Sequence, residues 1–174
     1  MIEIPLTKGY VAYVSDEDCE RVSQFRWCAY EQHRKDGSIR VVYAQRGVRK
    51  EDGSNTTQAL HRFIMGVTDS KVQIDHHDHN GLNNQRDNLR VATRTQNQGN
   101  RRRKQSGTSQ FKGVSWNKVS RKWLAQTRIN GKKIYLGLFD SEFDAALEYD
   151  KTARQTFGEF AKTNFPLESL AVAA

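Results

Sequence analysis

VQIDHHDHNGLNNQRDNLRVATRTQN, residues 72–97, is the stretch that gathers metal-ligand and proton-transfer side chains at tight spacing, and the rest of the chain reads as support for it. Asp75-His76 closes the short apolar run Val72-Gln73-Ile74, so the pair is expected at the end of a strand where a loop begins. The loop is rich in Asp, Asn and Gly. Asn88-Leu89-Arg90-Val91-Ala92 resumes a strand pattern, and Thr93-Arg94-Thr95-Gln96-Asn97 has the signature of a capped helix start. The order predicted is strand, loop, strand, helix.

Asp75-His76, then Asn88 twelve residues after His76, then Asn97 nine further, resembles the HNH nuclease motif. The resemblance covers residues 60 to about 100 and is closest to homing-type HNH endonucleases of phages and bacteria, with Leu60-His61-Arg62 ahead of the motif and Asn88-Leu89-Arg90 within it. It implies metal-dependent phosphodiester hydrolysis with 5′-phosphate and 3′-hydroxyl ends. That chemistry needs a water deprotonated and charge on the leaving oxygen stabilised.

His76 suits the first task, because an unperturbed imidazole has a pKa of about 6.5 and is largely neutral at physiological pH. Asp75 and the amide oxygen of Asn97 suit the second, as a sparse set of hard oxygens that fits Mg2+, with Mn2+ as a substitute. The resemblance assigns the same roles. It also implies that Asn88 bonds across the loop and holds His76 in position, and that His61 contacts phosphate or the metal's surroundings; the bland alternative for His61 is a strand histidine touching the loop. His77 and His79 read as solvated loop residues, and relatives carry Gly where His79 stands.

A structural zinc loop is the competing account of Asp75, His76, His77, Asp78 and His79. Cys19 and Cys28 argue against it, since they stand far upstream and form no C-x-x-C pair. Two cysteines also exclude a disulfide framework and fit a reducing cytoplasm, here that of a bacterial host. Neither a signal peptide nor an apolar span of membrane length is legible, so no membrane partner is expected. No small-molecule cofactor is expected either.

The chain carries 28 Lys+Arg against 20 Asp+Glu, a formal net charge of +8. The excess is local: residues 88–139 hold thirteen basic and no acidic residues, whereas residues 1–87 hold twelve basic and thirteen acidic. A polyanionic partner, duplex DNA, follows for the second half.

Residues 1–60 read as a β-rich platform that forms one domain with the motif at 60–100. Ile2-Glu3-Ile4 and Tyr10 to Val14 flank Lys8-Gly9 as a hairpin, and Ser15-Asp16-Glu17-Asp18 opens a helix whose apolar side is Cys19, Val22, Phe25 and Trp27. Phe25 to Tyr30 and Ile39 to Ala44 form a second hairpin around Asp36-Gly37. Arg40, Arg46, Arg49 and Lys50 form a basic loop that either touches DNA or is simply solvated.

Residues 101–109 read as a basic linker in which Arg101, Arg102, Arg103 and Lys104 lie along phosphates. In 110–166 three strands are expected: from Phe111 to Trp116, Lys122 to Ile129, and Lys132 to Phe139, the last two joined at Asn130-Gly131. Alternation places Trp123, Ala125, Thr127, Ile129, Ile134, Leu136 and Leu138 on one face, and Gln126, Arg128, Lys133 and Tyr135 on the other. A helix from Ser141 to Gly158 covers the first face through Phe143, Ala146, Leu147, Ala153 and Phe157. Residues 167–174 are a tail.

Lys112-Gly113-Val114, Lys122-Trp123, Tyr135 to Phe139, Ala145-Ala146, Tyr149-Asp150 and Asn164-Phe165-Pro166 resemble the plant APETALA-two / ethylene-response-factor domain, whose three-stranded sheet lies in the major groove. That resemblance puts Lys112, Arg128, Lys133 and Tyr135 at DNA-contacting positions. Ser115 and Asn117 stand where the plant pattern has arginines, with Trp116 and Arg121 as substitutes.

The expectation is thus an α+β protein: a ββα-metal HNH nuclease with N-terminal hairpins, then a three-stranded antiparallel sheet packed on one helix. Its function is Mg2+-dependent endonucleolytic cleavage of duplex DNA in a homing setting. A monomer is favoured, because no dimerisation heptad is present. The alternative from another class is a DNA-binding regulator with a decayed nuclease motif.

Overall fold

The computed structural model describes residues 1–101 and 107–166. The chain divides into two compact units, Met1–Ala92 and Thr93–Ala174, each of mixed α and β structure. Among the described residues no helix is long and apolar enough to cross a membrane.

In the first unit β1 (Ile2–Pro5) pairs antiparallel with β2 (Val11–Val14) across a 3-10 turn at Thr7–Gly9, where Lys8 and Gly9 both have positive φ. The acidic run becomes a 3-10 turn, Asp16–Asp18, that feeds α1 (Cys19–Ser23). Asp18 is buried, and Arg21 and Arg86 both donate to its carboxylate, at 2.8 Å for Arg21 Nη2 and 2.7 Å for Arg86 Nε. A buried carboxylate without such partners would be strongly destabilising.

The second hairpin is a three-stranded sheet: β3 (Cys28–His33), β4 (Ile39–Arg49) and β5 (Asn55–Ala59), in the order β3-β4-β5. The stretch expected as a basic loop around Arg46 and Arg49 is therefore strand, turned at Asp52-Gly53. Arg46 is committed within the unit, its guanidinium 3.5 Å from the Phe25 ring centroid and donating to Gln58 Oε1. α2 (Leu60–Ile64) follows.

β6 (Gln73–His76), β7 (Asn83–Asn84) and β8 (Leu89–Ala92) carry the motif. β6 and β8 pair antiparallel, with Asp75 opposite Arg90 and His76 opposite Leu89. β7 pairs parallel with β2 through Tyr13–Asn83 and Val14–Asn84. One core joins these parts: Ile4, Ala12, Val14, Val22, Trp27, Ala44, Leu60, Ile64 and Leu89, with Ile74 and Leu82 packed against it. The N-terminal segment is thus the platform on which the motif rests. Cys19 and Cys28 are both free.

The second unit opens with α3 (Arg94–Gly99), capped by Thr93 and Gln96 in a reciprocal capping box. β9 (Val114–Asn117), β10 (Lys122–Ile129) and β11 (Lys132–Phe139) form an antiparallel sheet in the order β11-β10-β9, crossed by α4 (Glu142–Phe157). Asn130 and Gly131 make the turn with φ of 50° and 81°, as a tight hairpin of this type demands. Val114, Ala125, Ala145 and Ala146 form the buried contact, with Phe111, Trp123, Leu136, Phe139 and Phe165 around it.

Two details of this sheet differ from strict alternation. The register shifts between Ala125 and Gln126, where Leu136 of β11 is the extra residue, and beyond this bulge Leu138 pairs with Leu124 and shares the face away from the helix. One extra residue in a strand reverses the facing of everything beyond it. On α4 the buried positions are Ala145, Ala146, Tyr149, Asp150, Ala153 and Phe157, whereas Phe143 is exposed.

Candidate active site

His76 ends β6 and is buried at 7% exposure. Its ring lies against two others brought from distant parts of the unit. His61 is edge-on at 5.1 Å between centroids, and Tyr43 of β4 lies 5.9 Å from His76 and 5.8 Å from His61. His61 stands on α2, not on a strand as one expectation had it. Burial, then the neighbouring His76 and Arg62, drive the His61 pKa down to about 3. Its Nδ1 is buried with no hydrogen-bond partner.

Burial likewise lowers the His76 pKa, with Asn84, Asp78 and Asp75 opposing the shift. The ring is therefore neutral at physiological pH and able to accept a proton. Asn84 decides which nitrogen accepts. Its Nδ2 donates to Leu82 O at 3.0 Å, which leaves Oδ1 facing His76 Nε2 at 3.5 Å. Nε2 then carries the hydrogen, and Nδ1 carries the lone pair. Asn84 is fully buried and fixed by the β2–β7 pairing.

Asn88 does not reach the His76 ring; it closes the loop that follows. Its Oδ1 accepts from Asp78 N at 3.0 Å, and its Nδ2 donates to Asp78 Oδ1 at 3.0 Å and to Asn83 O at 2.8 Å. The backbone adds His77 N to Asn88 O at 3.0 Å. His79 takes φ 65° in this loop, a conformation that suits Gly. Gly81 packs so closely on Val42 and Tyr43 that a Cβ would collide with both. That approach lets the loop close over Tyr43 and its two histidine neighbours.

Asp75 points to the face of β6 opposite His76 and pairs with Arg90, whose Nη2 lies 2.9 Å and Nε 3.1 Å from Oδ2. Among the described residues no group of three or more His, Cys, Asp or Glu could hold a metal ion. One buried carboxylate is donor chemistry that suits a hard cation which keeps most of its waters and binds phosphate. Asn97 lies on α3, the first helix of the second unit. An apolar cleft of about 600 Å3 in the first unit runs along β1 and Phe25–Cys28 and holds none of these residues.

In the second unit, Arg128, Lys133 and Tyr135 stand on the sheet face away from α4, exposed, with Arg121 exposed in the β9–β10 turn. Trp116 pairs with Trp123 on the helix side, 5.0 Å between centroids, so Ser115 and not Trp116 belongs to the free face. Lys112 also departs from expectation. Its ammonium donates inward to Gly99 O at 2.5 Å and Lys162 O at 3.2 Å, and is not on the free face. Arg101 is exposed after α3, while Arg102, Arg103 and Lys104 lie outside the described residues.

Residues 61–98 match the family described as HNH endonuclease. A protein of Acanthamoeba polyphaga mimivirus named Uncharacterized HNH endonuclease L560 is 32% identical over 163 residues, covering 90% of this chain and 76% of the relative. The chain belongs to the HNH endonuclease family. Protein 3.8 of Escherichia phage T7 is 37% identical over 89 residues, 51% of this chain and 73% of that protein. The C-terminal region is similar to plant proteins: APETALA2-like protein 2 of Oryza sativa subsp. indica is 47% identical over 60 residues, which is 34% of this chain but 14% of that protein. No solved structure matches the chain.

Proposed function

We propose that the protein is a homing-type endonuclease that hydrolyses phosphodiester bonds of duplex DNA, with His76 as general base. The observation that carries this reading is the state of His76: buried, neutral, and fixed by Asn84 with its lone pair on Nδ1. Such a base removes a proton from the attacking water as the water meets phosphorus. Tyr43 and His61 hold the imidazole plane, and Asn88 holds the loop that carries Asn84. A divalent cation, Mg2+ with Mn2+ as a substitute, would supply stabilisation of charge on the leaving 3′ oxygen. Asp75 would hold it, oriented by Arg90, and Asn97 is carried as a second oxygen ligand on the sequence motif.

Recognition of duplex DNA falls to the second unit in this reading. Arg128, Lys133 and Tyr135 offer cationic and aromatic groups on a sheet face that α4 leaves open, with Arg121 beside it and Arg101 ahead of it. The acid-free tract 88–139 supports salt-sensitive attraction to phosphate.

Incubation of supercoiled plasmid with Mg2+ and the purified protein tests this directly. Wild type should nick or linearise the plasmid and leave 5′-phosphate ends. His76→Ala should lose about 10²–10⁴ of the rate at unchanged DNA affinity. Cleavage by His76→Ala at the wild-type rate would remove His76 from the role.

A further inference from the structure

α3 belongs to the nuclease match by sequence, since residues 61–98 include it, yet its packing is with the C-terminal unit. Six residues are too few for a helix to persist on propensity. Its order must come from what it touches. Thr95 Oγ1 donates to Asn130 Oδ1 in the β10–β11 turn. At the other end, Gly99 sits so near Phe157 of α4 that a Cβ would lie 2.5 Å from the ring. The Gly99 carbonyl accepts from Lys112 Nζ and, at 3.2 Å, from Lys162 N.

We propose that Lys112 is a positioning residue for cleavage, holding the C-terminus of α3 and thereby the helix that carries Asn97. The proposal rests on the nuclease function proposed above. An ammonium at a helix C-terminus satisfies an orphan carbonyl and complements the helix dipole. Lys112 is itself fixed from both sides. Its backbone N donates to Asn164 Oδ1 at 2.6 Å, and its carbonyl accepts from Asn164 Nδ2 at 3.1 Å. Asn164 is clamped in turn by the fully buried carboxylate of Asp150 on α4, through its backbone N at 2.8 Å and Nδ2 at 2.9 Å. The chain of contacts runs from α4 through Asn164 and Lys112 to Gly99.

The next residue, Gly113, leads directly into β9 of the proposed DNA-reading sheet. The segment that starts the reading sheet therefore also secures a helix of the nuclease motif. This predicts that the C-terminal unit contributes to turnover and not only to affinity.

A titration accompanies the geometry. Burial lowers the Lys112 pKa to about 8, with Asp150 of α4 opposing and Lys162 of the C-terminal segment adding to the shift, and the Tyr149 ring lies 5.7 Å from Nζ. Deprotonation above that pH leaves one donor fewer charged at Gly99 O.

The test uses the full-length chain with Lys112→Met, Lys112→Arg and Thr95→Val. DNA affinity is measured without divalent metal, and single-turnover cleavage at saturating DNA with Mg2+. Lys112→Met should slow turnover at least tenfold with affinity within twofold. Lys112→Arg should recover most of the rate and cut as well at pH 9 as at pH 7.5, whereas the wild-type rate declines above about pH 8. Thr95→Val removes only the contact to the turn and should give a smaller loss of the same kind. Amide exchange at Asn97 and Asn100 should accelerate at least tenfold in Lys112→Met, whether or not the wild type cuts. Unaltered exchange there would overturn the proposal, as would a loss of rate matched by an equal loss of affinity. A wild type that does not cut, with exchange still accelerated in Lys112→Met, would remove the nuclease reading and leave the anchoring of α3 intact.

Discussion

Asn88→Ala puts the loop around the candidate base to a quantitative test. The side chain is 8% exposed and makes three hydrogen bonds, with Asp78 N, Asp78 Oδ1 and Asn83 O. Each is worth about 0.5–1.5 kcal/mol net. Asp78 is exposed, so water can take over its groups, and the sum belongs near 2–3 kcal/mol, not at the upper limit. The same loop carries Asn84, which fixes the tautomer of His76, so catalysis should fall with stability. A misplacement of the order of 1 Å at a reacting group costs about 10²-fold.

Asn88→Asp separates the two terms. It keeps the shape and the acceptor for Asp78 N, but sets a second carboxylate where Nδ2 now lies 3.0 Å from Asp78 Oδ1. Like charges at that distance repel, so this variant should be at least as damaged as Asn88→Ala at pH 7 and should recover in part as the pH falls and one carboxyl of the pair takes up a proton. Urea unfolding read by amide exchange in β6 and β8, with single-turnover cleavage alongside, gives both quantities. A change below about 0.5 kcal/mol and twofold in rate for Asn88→Ala would refute the assignment of Asn88 as the closure of the loop.

The acid limb of the cleavage profile should lie below pH 6.5, because burial lowers the His76 pKa. The depressed pKa values of His61 and His76 make the unfolded chain bind protons that the folded one refuses, so their contribution to stability is intact above about pH 6.5 and is lost as pH falls, for His61 down to about 3. His61→Asn should flatten the measured slope by up to about 1.4 kcal/mol per pH unit. EDTA should abolish cleavage without unfolding the protein, as followed by circular dichroism and metal analysis; cooperative unfolding with release of stoichiometric zinc would favour a structural metal. Gly113→Ala should cost the second unit about 2–5 kcal/mol in thermal unfolding, since φ is +80° and a Cβ would enter the Tyr149 ring.

What the sequence made legible was local. The capped helix start at Thr93, the turn at Asn130-Gly131 and the strand end at His76 each depend on residues a few positions apart. Tyr43 and Asn84 were invisible by contrast. Tyr43 comes to His76 from β4 because Gly81 lets the loop close on it, and Asn84 is fixed by pairing with β2. Nothing at short range signals either contact. The facing of Leu138 failed for a different reason: period two holds only until a bulge, and the mark of this one is Gly137, a glycine inside the strand with φ of 146°. Lys112 shows the limit of reading charge as function, since a lysine beside a carbonyl-lined turn is as well satisfied inside the fold as on a phosphate.

The charge distribution acquires a physical meaning once the units are separated. The unit that holds His76 has its arginines largely spoken for: Arg86 and Arg21 at Asp18, Arg90 at Asp75, Arg46 over Phe25 and on Gln58, and Arg62 on the carbonyls of Val72 and Asp69. Guanidinium groups engaged in this way neutralise little phosphate. On the second unit, Arg121, Arg128 and Lys133 are exposed on strands and turns that α4 does not cover. Under the proposed function affinity is therefore carried by the exposed sheet face of the second unit. Replacing Arg128 and Lys133 should weaken binding and its salt dependence while leaving the rate at saturating DNA intact. Lys112→Met should do the reverse, and it is this opposition within one small unit that distinguishes a reading surface from an anchor.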